Sequence, residues 1–305
     1  MFDLRKPAVL AAVFVALALG ARPGLAATSI PIVNPGFEAD VLPPGGILNT
    51  ISGWLATSGG GDGVFHPTAA QYPSGVPEGV NIAYVNLSGN FVRQVLAEAL
   101  QANTSYRLEV AVGRRMDEAF AGYRVQLLAG GVLLAEDNSS LTPAPGQFLV
   151  STVNYTAGAS DPQLGRPLEI ALRSPGVQAN FDDVRLTAGT CLPDATTLCF
   201  FNDRFRLTMD WRFPSGQTGA GQAVPLTDQA GLFYFVNPAN LEMLIKMLNA
   251  CSLNNRYWVF YAATTNVEFT VTVTDTLHGV QETYSNPLGT PAPPVQDTDA
   301  FATCP

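Results

Sequence analysis

Short segments in which apolar and polar residues alternate cover much of the chain and predict β-strands. From Tyr106 to Val112 every second residue is apolar, starting with the tyrosine, so these side chains share one sheet face. The alternation returns at Tyr123 to Leu127, before a glycine pair that favours a hairpin, and at Leu168 to Leu172. Several short strands separated by turns predict a β-sandwich here.

The C-terminal part of the chain repeats the pattern. Phe205 to Phe213 and Val267 to Val273 alternate strictly, as half-buried strands do. Gly231 to Val236 and Tyr257 to Tyr261 are continuous apolar and aromatic runs that suit central strands. This part is therefore predicted to form a second β-sandwich, Ig-like in type.

One segment of the second part favours a helix. Asn237 can cap it, and Pro238 suits the first helical position. The apolar residues that follow fall on one helical face: Leu241, Leu244, Ile245 and Leu248. The predicted fold class is all-β, a jelly-roll β-sandwich followed by an Ig-like β-sandwich with one short helix.

Length and the N-terminal residues set the domain organisation. A chain of 305 residues exceeds what one core usually organises. Arg5 and Lys6 precede an apolar run too short to span a membrane, and small residues allow cleavage after Ala26 or Ala27. We expect a signal peptide at 1–27, a first domain at 28–189 and a second at 190–305. The mature protein would be secreted, or periplasmic or at the cell surface, with no transmembrane segment.

Charge and motifs exclude several functions. The net charge is −9 and is spread along the chain, which gives no support to nucleic-acid binding, because that function requires a basic patch. Neither Gly-x-Ser-x-Gly nor His-Glu-x-x-His occurs, and the chain has two histidines. No catalytic residue is therefore assigned.

All four cysteines lie in the predicted second domain, and an even count in an exported domain indicates two disulfides. Of the three possible connectivities we favour Cys191–Cys199, which closes a short loop, and Cys251–Cys304, which tethers the chain end. Zinc is the alternative, but no Cys-x-x-Cys spacing occurs.

Acidic residues at both ends of the first domain suggest a Ca²⁺ site. Asn34-Pro-Gly-Phe-Glu38 opens the domain, and Asn180-Phe-Asp-Asp-Val184 closes it. If the first and last strands meet, Glu38 and one of the aspartates Asp182 and Asp183 supply hard oxygen ligands. The alternative is that these carboxylates cap turns or pair with Arg185.

Long irregular segments at Val41 to Thr50 and Thr57 to Gly79 are the predicted ligand loops. Aromatic rings there would stack on sugars, while polar side chains would bond the hydroxyl groups. The alternative is that the aromatic residues are core and the charged ones form a solvated turn. The candidate ligand-binding residues are Trp54, Phe65, His66, Tyr84, Arg114, Arg115 and Asp117.

The first domain resembles a known group of proteins through a set of short motifs. These are Asn34-Pro-Gly-Phe-Glu38, Gly53-Trp54, Gly63-Val-Phe-His-Pro67, Gln101-Ala-Asn-Thr-Ser-Tyr106, Val112-Gly-Arg-Arg115 and Asn180-Phe-Asp-Asp-Val184. Together they resemble carbohydrate-binding-module-like (galactose-binding-like) jelly rolls, in the branch with the calcium-dependent Stig cyclases and exported bacterial proteins. The resemblance implies calcium bound through Glu38 and Asp183, with Asp182 as the alternate. The second domain looks like a Cys-flanked β module of exported bacterial proteins and implies no reaction.

Three functions follow as expectations. The leading one is a secreted, calcium-stabilised binding protein that recognises carbohydrate or another extracellular ligand without catalysis. The alternative implied by the resemblance is a calcium-dependent cyclase of a hydrophobic, indole-terpenoid-like small molecule, which needs an aromatic-lined pocket and an acid with a raised pKa. A structural envelope component is the third.

Overall fold

The computed structural model describes residues 27–57 and 60–305, and this part of the chain forms 22 strands and one helix. The predicted signal peptide lies outside the described residues, except for Ala27. No helix within these ranges is long and apolar enough to cross a membrane.

The first domain contains twelve strands in two sheets. The larger sheet has the order β10-β7-β12-β5-β4-β2, with β1 also paired to β12, and the smaller has the order β3-β6-β11-β8-β9. The strands are β1 (Thr28–Ile30), β2 (Ile47–Leu48), β3 (Leu55–Ala56), β4 (Asp62–Phe65), β5 (Ile82–Asn86), β6 (Phe91–Ala99), β7 (Thr104–Arg114), β8 (Arg124–Ala129), β9 (Val132–Asn138), β10 (Gln147–Ala157), β11 (Pro167–Arg173) and β12 (Gln178–Gly189).

Alternation along the strands builds the core between these two sheets. Val110 and Val112 of β7 point inward from the larger sheet, while Val125 and Leu127 of β8 point inward from the smaller one. All four side chains are fully buried, as the period-two pattern requires. The predicted β-sandwich of jelly-roll type is confirmed.

The second domain contains ten strands in two five-stranded sheets and the one helix of the described ranges. Their orders are β13-β14-β20-β21, with β15 paired to β14, and β16-β17-β18-β19-β22. The elements are β13 (Thr197–Phe200), β14 (Phe205–Arg212), β15 (Thr218–Ala220), β16 (Gln222–Thr227), β17 (Ala230–Tyr234), β18 (Leu241–Asn249), α1 (Cys251–Asn254), β19 (Tyr257–Ala263), β20 (Glu268–Asp275), β21 (Val280–Asn286) and β22 (Val295–Phe301).

The helix predicted to start at Asn237 is wrong, because most of that segment is strand β18. Asn237 instead forms a turn, in which its side-chain oxygen accepts the N–H of Ala239 and its carbonyl oxygen accepts the N–H of Asn240. Strand β18 is hydrogen-bonded on both sides, to β17 and β19. These ladders and the burial of Met243 and Met247 outweigh a helical pattern that rested on leucine spacing.

The second domain is cross-linked by two disulfides, Cys191–Cys199 and Cys251–Cys304. This is the pairing favoured from the sequence. The hydrophobic core of this domain shares no residue with the core of the first domain. Each half of the chain therefore buries its own apolar side chains.

Candidate functional site

The opening motif and the closing strand of the first domain meet directly. The backbone N–H of Val184 donates to the carbonyl oxygen of Pro35 over 3.1 Å. The segment 78–81 lies beside both: Glu78 N–H donates to Asp182 Oδ2 at 2.9 Å, and Asn81 N–H donates to Glu38 Oε1 at 2.6 Å. The two predicted acidic regions are thus joined through one stretch of backbone.

Asp182 is the most perturbed acid at this junction. Its side chain is fully buried, and this burial raises its pKa to about 8. Backbone N–H groups of Glu78 and Asp183 oppose the rise, while the charges of the same two residues' carboxylates add to it. The Asp182 carboxyl is therefore mostly protonated at neutral pH.

The other two predicted ligands are engaged differently. Asp183 adopts a positive φ of 46° and its carboxylate pairs with Arg185 at 3.0 Å. Glu38 lies against Gly79, where a Cβ would come within 2.3 Å of the Glu38 carboxyl carbon. Gly79, with φ +57°, is required for this approach.

Within the described residues, the junction of the domain's two ends has one unpartnered side-chain oxygen but no cage of carboxylates for a metal ion. The side-chain oxygen of Asn81 is buried without a hydrogen-bond partner, while its Nδ2 donates to the carbonyl oxygens of Phe37 and Asp40. Residues 27–57 and 60–305 hold no group of three or more His, Cys, Asp or Glu side chains placed to hold a metal. The carboxylates alone do not form a cage, so amide, backbone and water oxygens would have to complete it.

A second cluster covers the outer face of the larger sheet, away from the sandwich core. We call it the aromatic face; its members are Phe65, Tyr72, Ile82, Tyr84 and Phe148.

Tyr72 holds the aromatic face together. Its ring packs on Phe148 with centroids 4.6 Å apart, and its hydroxyl donates to Asn180 Oδ1 over 2.8 Å. Gly113 makes room for this arrangement, because a Cβ there would lie 2.3 Å from the Phe148 ring. Tyr72 lies in the predicted ligand loop at Thr57 to Gly79 but was not a candidate site residue, and sequence analysis missed Phe148; the available signal was a glycine inside the strand pattern at position 113.

A pocket of about 460 Å³ opens at the end of this sheet. Its apolar part is formed by Leu87 and Val177, whose exposed fractions are 62% and 47%. Leu87 has a φ of +70°, a strained conformation for a bulky residue, and its N–H donates to the carbonyl oxygen of Val177. The pocket lining consists of Asn86, Leu87, Ser88, Arg115, Glu118, Gly176, Val177 and Gln178.

Arg115 connects the pocket to the aromatic face. Its Nη1 donates to Gln178 Oε1 at 3.0 Å, and its guanidinium carbon lies 5.5 Å from the Phe65 ring centroid. Its Nε and Nη2 donate to both carboxylate oxygens of Asp117, at 2.8 and 2.7 Å. These bonds lower the pKa of Asp117, so this acid is an anion at neutral pH.

The remaining predicted ligand residues lie elsewhere. Trp54 is buried in the core against Phe37, and its indole N–H donates to the carbonyl oxygen of Asn34. His66 Nδ1 donates to the carbonyl oxygen of Leu42. Arg114 does not line the pocket, and its Nε is buried without a hydrogen-bond partner. Of the seven predicted ligand residues, Arg115 alone lines the pocket. Phe65 and Tyr84 belong to the aromatic face beside it, and Asp117 reaches the pocket only through its pair with Arg115.

Comparisons with known proteins concern the first domain. Residues 28–187 match the family model described as HpiC1-like, HpiC1 cyclase. The crystal structure of the Stig cyclase Fisc from Fischerella sp. TAU, in complex with (3Z)-3-(1-methyl-2-pyrrolidinylidene)-3H-indole, is 33% identical. That match covers 53% of this chain and 98% of the other, with a TM-score of 0.50.

Two further comparisons differ in strength. An apo-form cyclase from Fischerella sp. is 32% identical over 55% of this chain and 99% of its own, with a TM-score of 0.51. The CBM22-1 xylan-binding domain of Paenibacillus barcinonensis Xyn10C is 14% identical over 48% of this chain and 97% of its own. Its TM-score of 0.33 is too low to support an argument. No curated protein matches the chain.

Proposed function

The chain belongs to the HpiC1-like cyclase family, and from this membership we propose that its first domain binds a small hydrophobic ring compound of the indole type in the pocket beside Arg115. The pocket volume of about 460 Å³ lies in the range of small-molecule sites. A Fischerella cyclase of the same fold binds an indole compound.

The observation that carries this proposal is the exposed apolar pair at the pocket. Leu87 holds a strained backbone conformation and leaves most of its side chain in solvent. Strain of this kind persists where the surrounding structure enforces it, and it concentrates at ligand sites. A ring placed against Leu87 and Val177 would remove apolar surface from water, at roughly 25 cal/mol for each Å².

Carbohydrate is the second ligand class. Arg115, Gln178 and Asn86 offer polar groups to hydroxyls. The rings expected to stack on a sugar, however, have no open faces: Phe65, Tyr84 and Trp54 are only 3%, 5% and 7% exposed. A sugar would therefore lack the aromatic platform that gives sugar sites much of their affinity.

Binding without catalysis is the proposed activity, and cyclisation is the second candidate because of the family. A proton-initiated cyclisation needs a carboxylic acid at the pocket. Asp117 is held as an anion by Arg115, and both oxygens of Asp182 accept backbone N–H groups. Glu118 is the carboxyl group among the lining residues, and Asp182 is the buried acid whose pKa is raised, so these two are the candidate proton donors of a cyclase.

The proposal also includes a bound calcium ion and export from the cytoplasm. Glu38, Asn81 and Asp182 would hold the ion, whose charge would offset the buried carboxylates and stabilise the junction of the domain's two ends. Export is supported by the signal-like N-terminal residues and by two disulfides, which persist in oxidising compartments.

Calorimetric titration with indole tests the ligand class, with a xylan oligosaccharide in a parallel titration. Leu87→Asn keeps the side-chain size and tolerates positive φ, so it should fold while losing roughly tenfold or more in indole affinity. The matched control is Leu133→Asn, another exposed leucine of this domain. Equal affinity in Leu87→Asn and the parent protein, or binding of the oligosaccharide alone, would reject the proposal.

Product analysis tests the second candidate. The protein is incubated with an indole-terpenoid substrate, and the products are identified by mass spectrometry. If the domain is a cyclase, Glu118→Gln or Asp182→Asn should abolish product while leaving the affinity for the substrate unchanged. Absence of product from the parent protein, despite binding, supports the proposed non-catalytic function.

A further inference from the structure

Three arginines lie together on the outer face of the smaller sheet of the first domain. They are Arg93 on β6, Arg173 on β11 and Arg124 on β8, and β11 lies between the other two strands. Arg173 is directly opposite Arg124 in one ladder and directly opposite Phe91 in the other. Arg93 lies one pleat further along, opposite Ala171, and faces the same side.

Phe91 fixes two of these side chains. The guanidinium carbons of Arg173 and Arg93 lie 5.1 and 5.5 Å from the centroid of its ring. A hydrogen bond from Arg173 Nε to Gln126 Oε1, 2.9 Å long, adds to this positioning. We call the three residues the arginine triad; two of its members, Arg93 and Arg173, are therefore held in place, and Arg124 lies directly opposite one of them.

The positive charge of the arginine triad is only partly balanced. Glu169 Oε2 lies 3.6 Å from Arg93 Nη1, and Glu136 accepts a hydrogen bond from Gln126 Nε2. In the described ranges, neither Arg124 nor Arg173 forms an ion pair. Burial, followed by the charges of Arg93 and Arg124, lowers the pKa of Arg173.

Such an arrangement costs stability unless something binds to it. Like charges directly opposite each other destabilise a strand pair. The protein as a whole carries a net charge of −9, so general electrostatics would not draw anions to its surface. Guanidinium groups, in contrast, match the oxygens of a phosphate or sulfate group through paired hydrogen bonds.

We propose that the arginine triad is a binding site for a tetrahedral oxyanion, a phosphate or sulfate group. Its three strands belong to the smaller sheet, so the site is separate from the aromatic face on the larger one. The same chemistry would bind a free anion or a phosphomonoester on a lipid surface.

Thermal unfolding and calorimetry with inorganic phosphate and inorganic sulfate test the site. The expected result is saturable binding and a melting temperature that rises with anion concentration. Arg173→Gln and Arg124→Gln should each weaken anion binding by roughly tenfold or more. Arg166→Gln removes one charge from an exposed position of the same domain and should leave binding unchanged.

The melting temperature without anion distinguishes a specific anion site from unspecific attraction of anions to the surface. Without anion, Arg124→Gln should melt at a higher temperature than the parent protein, because it removes a like-charge pair. Cosedimentation with phosphatidic acid vesicles, compared with phosphatidylcholine vesicles, tells a lipid source from a free anion. Failure of both anions to bind, or equal weakening by Arg166→Gln, would overturn the proposal. Neither result bears on indole binding at the pocket.

Discussion

At the scale of single residues, two arginine–carboxylate pairs of the second domain differ chiefly in burial. Arg204 donates to both oxygens of the fully buried Asp275, at 3.1 and 2.7 Å, and its Nη1 donates to the hydroxyl of Tyr257. Arg212 and Glu268 form a similar pair on the surface. The buried pair of Arg204 should therefore contribute much to the stability of the domain, and the surface pair of Arg212 should contribute little.

Arg204→Ala should destabilise the second domain by about 3–5 kcal/mol, because it leaves the buried Asp275 without its bidentate cation, with His278 and the Leu277 N–H still in contact. Arg212→Ala is the matched control and should change stability little, since water already solvates its partner. Urea unfolding followed by tryptophan fluorescence measures both. Equal effects of the two substitutions would contradict the assignment of Arg204 as a buried structural charge.

Asp182 should impose an unusual pH dependence. Its pKa is raised from 3.8 to about 8 on folding, so the folded protein binds an extra proton between these values. The free energy of unfolding should then fall as pH rises from about 4 to about 8, by at most about 6 kcal/mol, and level off above. Asp182→Asn in the presence of EDTA should remove this slope.

Denaturation curves at several pH values test this, with the exposed Asp210→Asn as a control that keeps the slope. Calcium should flatten the slope of the parent protein, because a cation favours the ionised carboxylate. A parent protein whose stability is the same with calcium and with EDTA at pH 8 would count against the calcium site.

Sequence reasoning reached some site residues and not others, for identifiable reasons. Glu38 and Asp182 belong to short motifs, so a resemblance could point to them. Tyr72 and Phe148 are far apart in sequence and meet only because Gly113 leaves space between strands. Trp54 has the residue type of a sugar platform, but residue type does not reveal that its face is buried.

At the scale of elements, strand β18 shows where periodicity misleads. The leucine spacing from 241 to 248 fits a helix, while Met243, Ile245 and Met247 fit a strand. The alternating strands were predicted correctly because their pattern fits one period only, as in β14 and β20. The period within β18 is decided by pairing with distant strands, which local sequence does not contain.

Two substitutions distinguish the strand from the helix. Leu244 is exposed on β18, so Leu244→Asp should be tolerated with a small change in stability. Met247 is fully buried, and Met247→Asp should prevent folding or cost several kcal/mol. Circular dichroism and urea titration measure the outcome. Because a helix would bury Leu244, strong destabilisation by Leu244→Asp would argue for the helix.

The two disulfides should contribute unequally to the free energy of unfolding. Cys191–Cys199 spans 8 residues and Cys251–Cys304 spans 53. Chain entropy gives about 2.5 kcal/mol for the short loop and about 4 kcal/mol for the long one. Paired serine substitutions, each tested by chemical denaturation, should show that order. A larger loss from the short loop would mean that native contacts around Cys191, and not loop entropy, dominate.

At the scale of the whole molecule, the family match ends at residue 187 and the two cores are separate. We therefore expect the fragment 27–190 to fold by itself, to unfold cooperatively and to keep calcium and indole binding. Differential scanning calorimetry of the fragment and the full chain measures this. If the fragment were unfolded, contacts such as those of Arg107 with the carbonyl oxygens of Leu192 and Pro193 would be essential.

Strand β1 has a consequence for the order in which this protein assembles. Thr28 lies opposite Ala188, and the two are 160 residues apart in the chain. A ribosome makes roughly 5–20 residues each second, so the first strand waits on the order of ten seconds for its partner. During that wait its backbone groups are open to other chains or to a chaperone. Early synthesis is therefore the period in which this domain is most exposed to mispairing.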